Sequence, residues 1–114
     1  MVDDYYDVHT YFKELLEETE VQIICAYSSD GALKEYSNNK DVDLVLMDIQ
    51  LPDKDGYETT KLIHKQNPDI PIIAQTAFAL SVDREKCLKA GCVDYLSKPV
   101  SKVSLFKAIA KHLP

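Results

Sequence analysis

The chain has 114 residues, 46% of them apolar and 28% charged. That is enough for one globular domain with one core, and it excludes a second domain, intrinsic disorder and a disulfide-stapled miniprotein. Nineteen acidic residues against 13 basic ones leave a net charge of −6, the wrong sign for direct binding to nucleic-acid phosphates.

No apolar run approaches the roughly 18 residues that span a bilayer. The start, Met-Val-Asp-Asp-Tyr-Tyr-Asp, is the reverse of a basic secretory leader. A cytoplasmic domain without membrane contact is expected. Cys25, Cys87 and Cys92 are odd in number and lack CxxC spacing, so they read as small buried hydrophobes. His9, His64 and His112 form no i,i+4 pair and read as surface or helix-flank residues.

In chain order, Met1-Val2 reads as the last stub of a first strand, since a helix follows at once. Val8, Tyr11, Phe12, Leu15 and Leu16 recur at helical spacing up to a break at Thr19-Glu20. Val21 to Ala26 is a second strand. Ser28-Ser29-Asp30 then caps a helix carrying Ala32, Leu33 and Tyr36. Val42 to Met47 is a third strand, and Tyr57 to Gln66 a third helix that stops at Asn67-Pro68, where proline disfavours helix in the residue before it. Ile70 to Gln75 is a fourth strand. Val82 to Ala90 is a fourth helix with Ser81 as its cap and Gly91 as its stop, followed by a fifth strand, Val93 to Leu96. Lys102 to His112 closes the chain as a fifth helix after Ser101.

Short β-branched runs alternating with helices mean βαβ units, right-handed crossovers and a parallel sheet covered on both faces. The fold class is therefore α/β, a single doubly wound domain over residues 1–114. Its first strand reads as truncated: only Met1 and Val2 precede the acidic pair, whereas Val42 to Met47 precede Asp48. The chain is accordingly expected to be a fragment whose first strand begins upstream.

Ligand sites of open α/β sheets lie beyond the carboxyl ends of the strands. The first strand ends in Asp3-Asp4, the third in Asp48 and the fourth in Gln75-Thr76, and the fifth leads into Ser97-Lys98-Pro99. Carboxylates brought this close repel unless a cation joins them, and magnesium takes hard oxygen ligands of this kind. The Lys98 ammonium and Thr76 hydroxyl are superfluous for a metal alone, but they suit the oxygens of a phosphoryl group. Taken singly, each residue has an ordinary reading: a solvated acidic loop, a turn cap, a surface lysine. Together they point to magnesium, a phosphoryl group and a carboxylate nucleophile.

At these residues a resemblance becomes specific. Asp3-Asp4, the run Val45-Leu46-Met47-Asp48-Ile49-Gln50-Leu51-Pro52-Asp53-Lys54-Asp55-Gly56-Tyr57-Glu58, Thr76-Ala77 and Tyr95-Leu96-Ser97-Lys98-Pro99 resemble, in order and spacing, the receiver domains of two-component response regulators. The likeness runs through nearly the whole chain. It implies a flavodoxin-like (βα)5 domain with a five-stranded sheet of order 2-1-3-4-5.

The resemblance also implies roles. Asp48 would accept a phosphoryl group from a phosphohistidine on a sensor histidine kinase or a histidine phosphotransfer domain. Magnesium would be held by the Asp4 and Asp48 carboxylates and the Gln50 backbone carbonyl, with Asp3 close by, through water. Lys98 would pair with the phosphoryl oxygens, aimed by a cis Lys98-Pro99 bond. Thr76 would be drawn toward the phosphoryl group, Tyr95 would turn into the space it leaves, and the small Ala77 would keep the group accessible. The face built by the fourth helix, fifth strand and fifth helix would change, and that face or the incomplete first strand could pair two copies. As an isolated domain such a chain is no enzyme beyond its own phosphorylation and dephosphorylation.

The segment from Ile73 to Ser81, with Asp83 to Cys87, is most similar to receivers of hybrid sensor kinases, although a free-standing regulator and a receiver cut from a longer regulator stay open. A phosphohydrolase of the haloacid-dehalogenase kind would need a carboxylate two residues after its nucleophile, where Gln50 stands. A flavodoxin-like FMN carrier would need a hydroxyl- and glycine-rich loop where Asp3 to Asp7 stand. A degenerate receiver acting as a binding scaffold would not need Asp48, Thr76 and Lys98 all intact.

Overall fold

The structure is a computed structural model that describes residues 1–77 and 81–113, with the side chains of residues 81–83 also left aside. Phe78 to Leu80, part of the segment similar to hybrid-kinase receivers, lie outside the described residues.

Among the described residues three parallel strands form the continuous ladders: β1 (Val45–Asp48), β2 (Ile72–Thr76) and β3 (Asp94–Ser97), in the order β1-β2-β3. Val45 lies opposite Ile72 and Asp48 opposite Gln75, while Ile73 lies opposite Asp94 and Thr76 opposite Ser97. Among the described residues five helices accompany them: α1 (Tyr6–Leu15), α2 (Ser29–Asn38), α3 (Gly56–Gln66), α4 (Ser81–Ala90) and α5 (Lys102–His112).

The two remaining expected strands are reduced to single bridges. Val2 bridges Ala26 on one side and Met47 on the other, both in parallel sense. These bridges place the five segments in the expected order 2-1-3-4-5, with Val2 between Ala26 and β1. Of the expected strand Val21 to Ala26, only Ala26 is bridged. Among the described residues Val21 to Cys25 enter no ladder, and Val21 and Ile24 stay exposed.

The expected starts of the third and fourth strands also move inward. Among the described residues Val42 to Leu44 lie outside the ladders. Pro71 has no N–H to donate to a ladder, though its carbonyl accepts from Val45 N at 3.0 Å. Strand β2 therefore begins at Ile72.

Alternation then builds the core. Val45, Met47, Ile72 and Ala74 face Ala32 and Tyr36 of α2, Ile63 of α3 and Cys87 of α4. Leu46, Ile73 and Leu96 face Phe12 of α1 and Leu105 and Ala108 of α5. A strand buried on both faces must be apolar throughout, which is why Val45-Leu46-Met47 and Ile72-Ile73-Ala74 show no polar alternation.

The helix ends follow their caps. Ser28 accepts from Gly31 N, Asp55 from Glu58 N and Ser101 from Ser104 N, each side chain satisfying an otherwise orphaned donor. Ser81 is the first residue of α4, not a residue preceding it. Gly91 follows α4 with φ +109, a left-handed conformation that favours glycine. A Cβ there would also lie 2.5 Å from His64 Nδ1.

Cys87 and Cys92 are buried as expected, and Cys25 is half-buried. Burial pushes the Cys92 thiol up to about 12. The expectation of a surface or flanking histidine fails at His9, which is fully buried on α1. Its Nε2 lies 2.7 Å from the Asp3 carbonyl oxygen.

Candidate functional site

The carboxyl ends of the strands carry the chemistry. Asp3 directly follows the bridged Val2, Asp48 ends β1, Thr76 ends β2, and Lys98 follows β3. Parallel strands in register bring these ends to one rim. The Thr76 carbonyl accepts from Lys98 N at 2.8 Å, which fastens the base of the lysine to the end of β2. The Lys98-Pro99 peptide bond is cis.

Asp3, Asp4 and Asp48 each offer a carboxylate oxygen, and these oxygens all lie within 4.8 Å of one another. Asp3 is fully buried and Asp48 is 3% exposed, whereas Asp4 is open to solvent. The Lys98 ammonium stands between the two buried acids, 3.2 Å from Asp3 Oδ2 and 3.2 Å from Asp48 Oδ2. The remaining oxygens are engaged locally: Asp3 Oδ1 accepts from Tyr5 N at 2.9 Å, and Asp48 Oδ1 from Gln50 N at 3.1 Å.

These contacts compete in the titration of Asp48. Burial raises its carboxyl above the usual aspartate value, and the nearby Asp3 charge adds to the rise. The Gln50 N–H and the Lys98 ammonium pull the other way and do not fully offset it. For Lys98 burial disfavours the ammonium, but Asp48 and Asp3 outweigh it and hold the amine above its ordinary value. The lysine is thus a firmly charged partner for oxyanions.

Such an array of hard oxygens, one exposed and two buried, suits a small divalent cation that keeps part of its water shell. Gln50 follows Asp48 in the loop 49–55 and is exposed. Thr76 is 5% exposed, and Ala77 is exposed beside it. Tyr95 lies back from the rim on β3, half-buried, with the Arg84 guanidinium 5.8 Å from the centre of its ring. Asp3, Asp4, Asp48 and Lys98 are therefore gathered in one cluster, while Tyr95 belongs to the neighbouring surface of α4 and β3.

The loop after Asp48 is held tightly. Gly56 N donates to the Ile49 carbonyl at 2.8 Å, and a Cβ on Gly56 would lie 2.3 Å from the Asp48 carbonyl oxygen. Only glycine permits this approach of backbone to backbone.

A family profile, that of the response regulator receiver domain, matches residues 1–110. The chain belongs to the response regulator receiver family. This receiver is 38% identical over 104 residues to the polar-differentiation response regulator DivK of Brucella ovis, covering 90% of this chain and 84% of that protein. It is also 38% identical over 102 residues to the signal transduction histidine-protein kinase BarA of Escherichia coli, there spanning 88% of this chain but 11% of the kinase.

Among solved structures, a two-component response regulator from Clostridium difficile superposes on the receiver with a TM-score of 0.88 at 31% identity, covering 96% of this chain and 89% of that one. The chemotaxis protein CheY4 of Vibrio cholerae reaches a TM-score of 0.91 over 98% of this chain and 94% of its own, at 21% identity, and so attests the fold alone. No described helix of the receiver is long and apolar enough to cross a membrane.

Two further residues bear on the site, His9 through the Asp3 carbonyl and Asp53 through its contacts with α2. His9 lies at i, i+3, i+7 spacing with the buried Phe12 and Leu16, so its place on the inner face of α1 was readable. Asp53 was not: it reads as an ordinary turn residue, but both its carboxylate oxygens accept backbone N–H groups, Ser29 N at 2.8 Å and Asp30 N at 2.9 Å.

Proposed function

We propose that this receiver is a phosphoacceptor module in which the Asp48 carboxylate takes a phosphoryl group from a phosphohistidine of a sensor histidine kinase or a phosphotransfer domain. The observation that carries the reading is the Lys98 ammonium placed 3.2 Å from both Asp48 and Asp3 beside the solvent-exposed Asp4. An Asp48 oxygen attacks phosphorus, the P–N bond breaks, and the imidazole nitrogen leaves with the electron pair. An acyl phosphate results.

Asp4 and Asp48 carboxylates and the Gln50 carbonyl are the groups that would hold magnesium, with Asp3 adjacent. When bound, the ion supplies positive charge against the phosphoryl oxygens. Lys98 binds those oxygens as well, exchanging its Asp48 partner for them. Thr76 donates its hydroxyl to the phosphoryl group, and the exposed, small Ala77 leaves the approach open.

The output surface in this reading is α4, β3 and α5, where Tyr95 changes rotamer as Thr76 moves. Only a difference in stability between the two states can transmit the change. That surface, or the short central segment at Met1, is also where two copies would pair. Similarity to a stretch of BarA supports a place within a hybrid kinase, and similarity to most of DivK supports a free-standing regulator; Asp48 does the same chemistry in either. The domain turns over no substrate other than its own acyl phosphate.

Incubation with acetyl phosphate and intact-mass measurement tests the proposal. One added phosphoryl group is expected, lost on chelation of magnesium and lost in Asp48→Asn. Undiminished labelling of Asp48→Asn overturns it.

A further inference from the structure

We propose that Asp53 is a positioning residue for the magnesium-binding loop, fixing the Gln50 carbonyl by tying the loop to the first turn of α2. The inference rests on the phosphoacceptor reading given above, and it adds a residue that reading does not use.

The loop 49–55 has two anchored ends. At one, Asp48 belongs to β1 and its Oδ1 accepts from Gln50 N. At the other, Gly56 N reaches back to the Ile49 carbonyl and Asp55 caps α3. Among the described residues the apex is tied by Asp53, whose two carboxylate oxygens take the N–H groups of Ser29 and Asp30 at 2.8 and 2.9 Å. Those two bonds hold the Asp53 carboxyl below the usual aspartate range, so the tether is an ionised one. It sits where a helix N-terminus favours negative charge.

The anchor is itself firm. Thr59 of α3 donates its hydroxyl to Ser29 Oγ at 2.7 Å, and both residues are fully buried. The link from tether to Gln50 is short and stiff, because only Leu51 and Pro52 intervene. Proline fixes its own φ and restricts the residue before it. A displacement at Asp53 is therefore passed to Gln50 instead of being absorbed.

The test separates positioning from plain stability. Ser28 caps the same helix, its Oγ accepting from Gly31 N at 3.0 Å, and among the described residues its hydrogen bonds stay within α2. Asp53→Ala, Asp53→Asn, Ser28→Ala and wild-type protein are compared by urea unfolding and by 15N NMR titration with magnesium chloride, following the Gln50, Asp3 and Asp4 amides. Both alanine variants are expected to unfold at lower urea. Asp53→Ala alone should raise the half-saturating magnesium concentration about tenfold, the lower range for loss of an outer-shell partner, with Asp53→Asn in between. In the metal-free protein, Asp53→Ala should also shift the Gln50 amide resonance.

Phosphorylation of Asp53→Ala by acetyl phosphate should be slow at low magnesium and recover at saturating magnesium. Equal magnesium affinity in Asp53→Ala and wild type, or equal weakening in Ser28→Ala, overturns the inference while leaving the phosphoacceptor reading intact. Absence of any magnesium response in the wild-type amides overturns both.

Discussion

Lys98 Nζ stands 3.2 Å from Asp48 Oδ2, at a place where the carboxyl is nonetheless held above its ordinary value by burial. The lysine therefore does not cancel the cost of the buried acid; it limits it. Asp48 in the folded protein holds its proton to higher pH than in the unfolded chain, so its contribution to stability falls as pH rises from the unfolded value of 3.8 through the folded one.

Replacing the lysine should widen that loss. Lys98→Met, studied in chelator, is expected to cost about 2 kcal/mol at pH 7, where two buried carboxylates lose their shared donor. Below pH 3.8, where Asp48 is protonated in both states, the deficit should shrink to a fraction of that. The alkaline limb runs in the opposite sense. Lys98 is raised above 10.5, so its stabilising charge is intact below that pH and is lost as pH rises through the folded value. Urea unfolding of both proteins from pH 3.5 to 11 checks this, and a deficit independent of pH would contradict it.

Asp4 is the exposed member of the acidic cluster, which gives its replacement two effects of opposite sign. Asp4→Asn removes like-charge repulsion and is expected to raise the thermal midpoint of the metal-free protein slightly. It should also weaken magnesium binding and so shrink the stabilisation that magnesium gives, a term worth about 2.7 kcal/mol at a hundred times Kd. Melting curves with and without magnesium decide the matter. A metal-free midpoint lowered by the substitution would refute the repulsion argument.

How much of this was legible depended on whether a residue's role was periodic, positional or relational. The all-apolar runs Val45 to Met47 and Ile72 to Ala74 announce strands buried on two faces, and the places of Asp48, Thr76 and Lys98 at strand ends follow from the same pattern. The strand limits were not readable, because they depend on a partner: Val21 to Ile23 have strand composition, yet among the described residues they enter no ladder. Asp53 is relational in the same way. Its value lies in two N–H groups more than 20 residues away in sequence, and nothing local distinguishes it from a turn aspartate.

Gly56 gives a sharper steric prediction. A methyl group there would lie 2.3 Å from the Asp48 carbonyl oxygen and 2.7 Å from Ile49 Cα, both backbone atoms that cannot turn aside. Gly56→Ala should therefore destabilise by about 3 kcal/mol, the upper part of the overpacking range, although alanine is the better helix former. Because relief requires Asp48 and Ile49 to move, the folded variant should also phosphorylate more slowly. Urea unfolding together with acetyl phosphate labelling measures both, and wild-type stability would sink the prediction.

The last prediction concerns the amino ends of the strands, at the far end of the sheet from the acidic rim. A cavity of about 530 Å³ opens there, with Met1, Val2, Phe12, Ile24, Leu44 and Leu46 in its lining. The central segment is held on both sides: Met1 N donates to the Ile24 carbonyl at 2.8 Å, Ala26 N to the Met1 carbonyl at 2.9 Å, and Val2 N to the Leu46 carbonyl at 2.8 Å. Continuing the parallel alternation past Met1 brings the Leu46 N–H and Leu44 carbonyl to one side of the gap, and the Ile24 N–H and Gln22 carbonyl to the other. Extended residues joined to the Met1 nitrogen would meet all four. Three apolar ones, Ile-Leu-Ile, bury about 1.5–3 kcal/mol of side chain each and gain about 1 kcal/mol per hydrogen bond, against about 1–2 kcal/mol of backbone ordering per residue. A net gain of about 2 kcal/mol or more corresponds to a midpoint raised by at least about 5 °C. A Ser-Gly-Ser extension should give little, and Ile-Pro-Ile should fall short because proline cannot donate to Gln22. The extension should also change the pH profile. Burial pulls the Met1 amine down to about 6 from 8.0, so the unfolded chain binds the extra proton between those values and the protein loses stability as pH falls from 8 to 6. An amide at that position does not titrate, and this part of the loss should vanish. Equal midpoints for the three extended chains would show that the gap does not accept a strand.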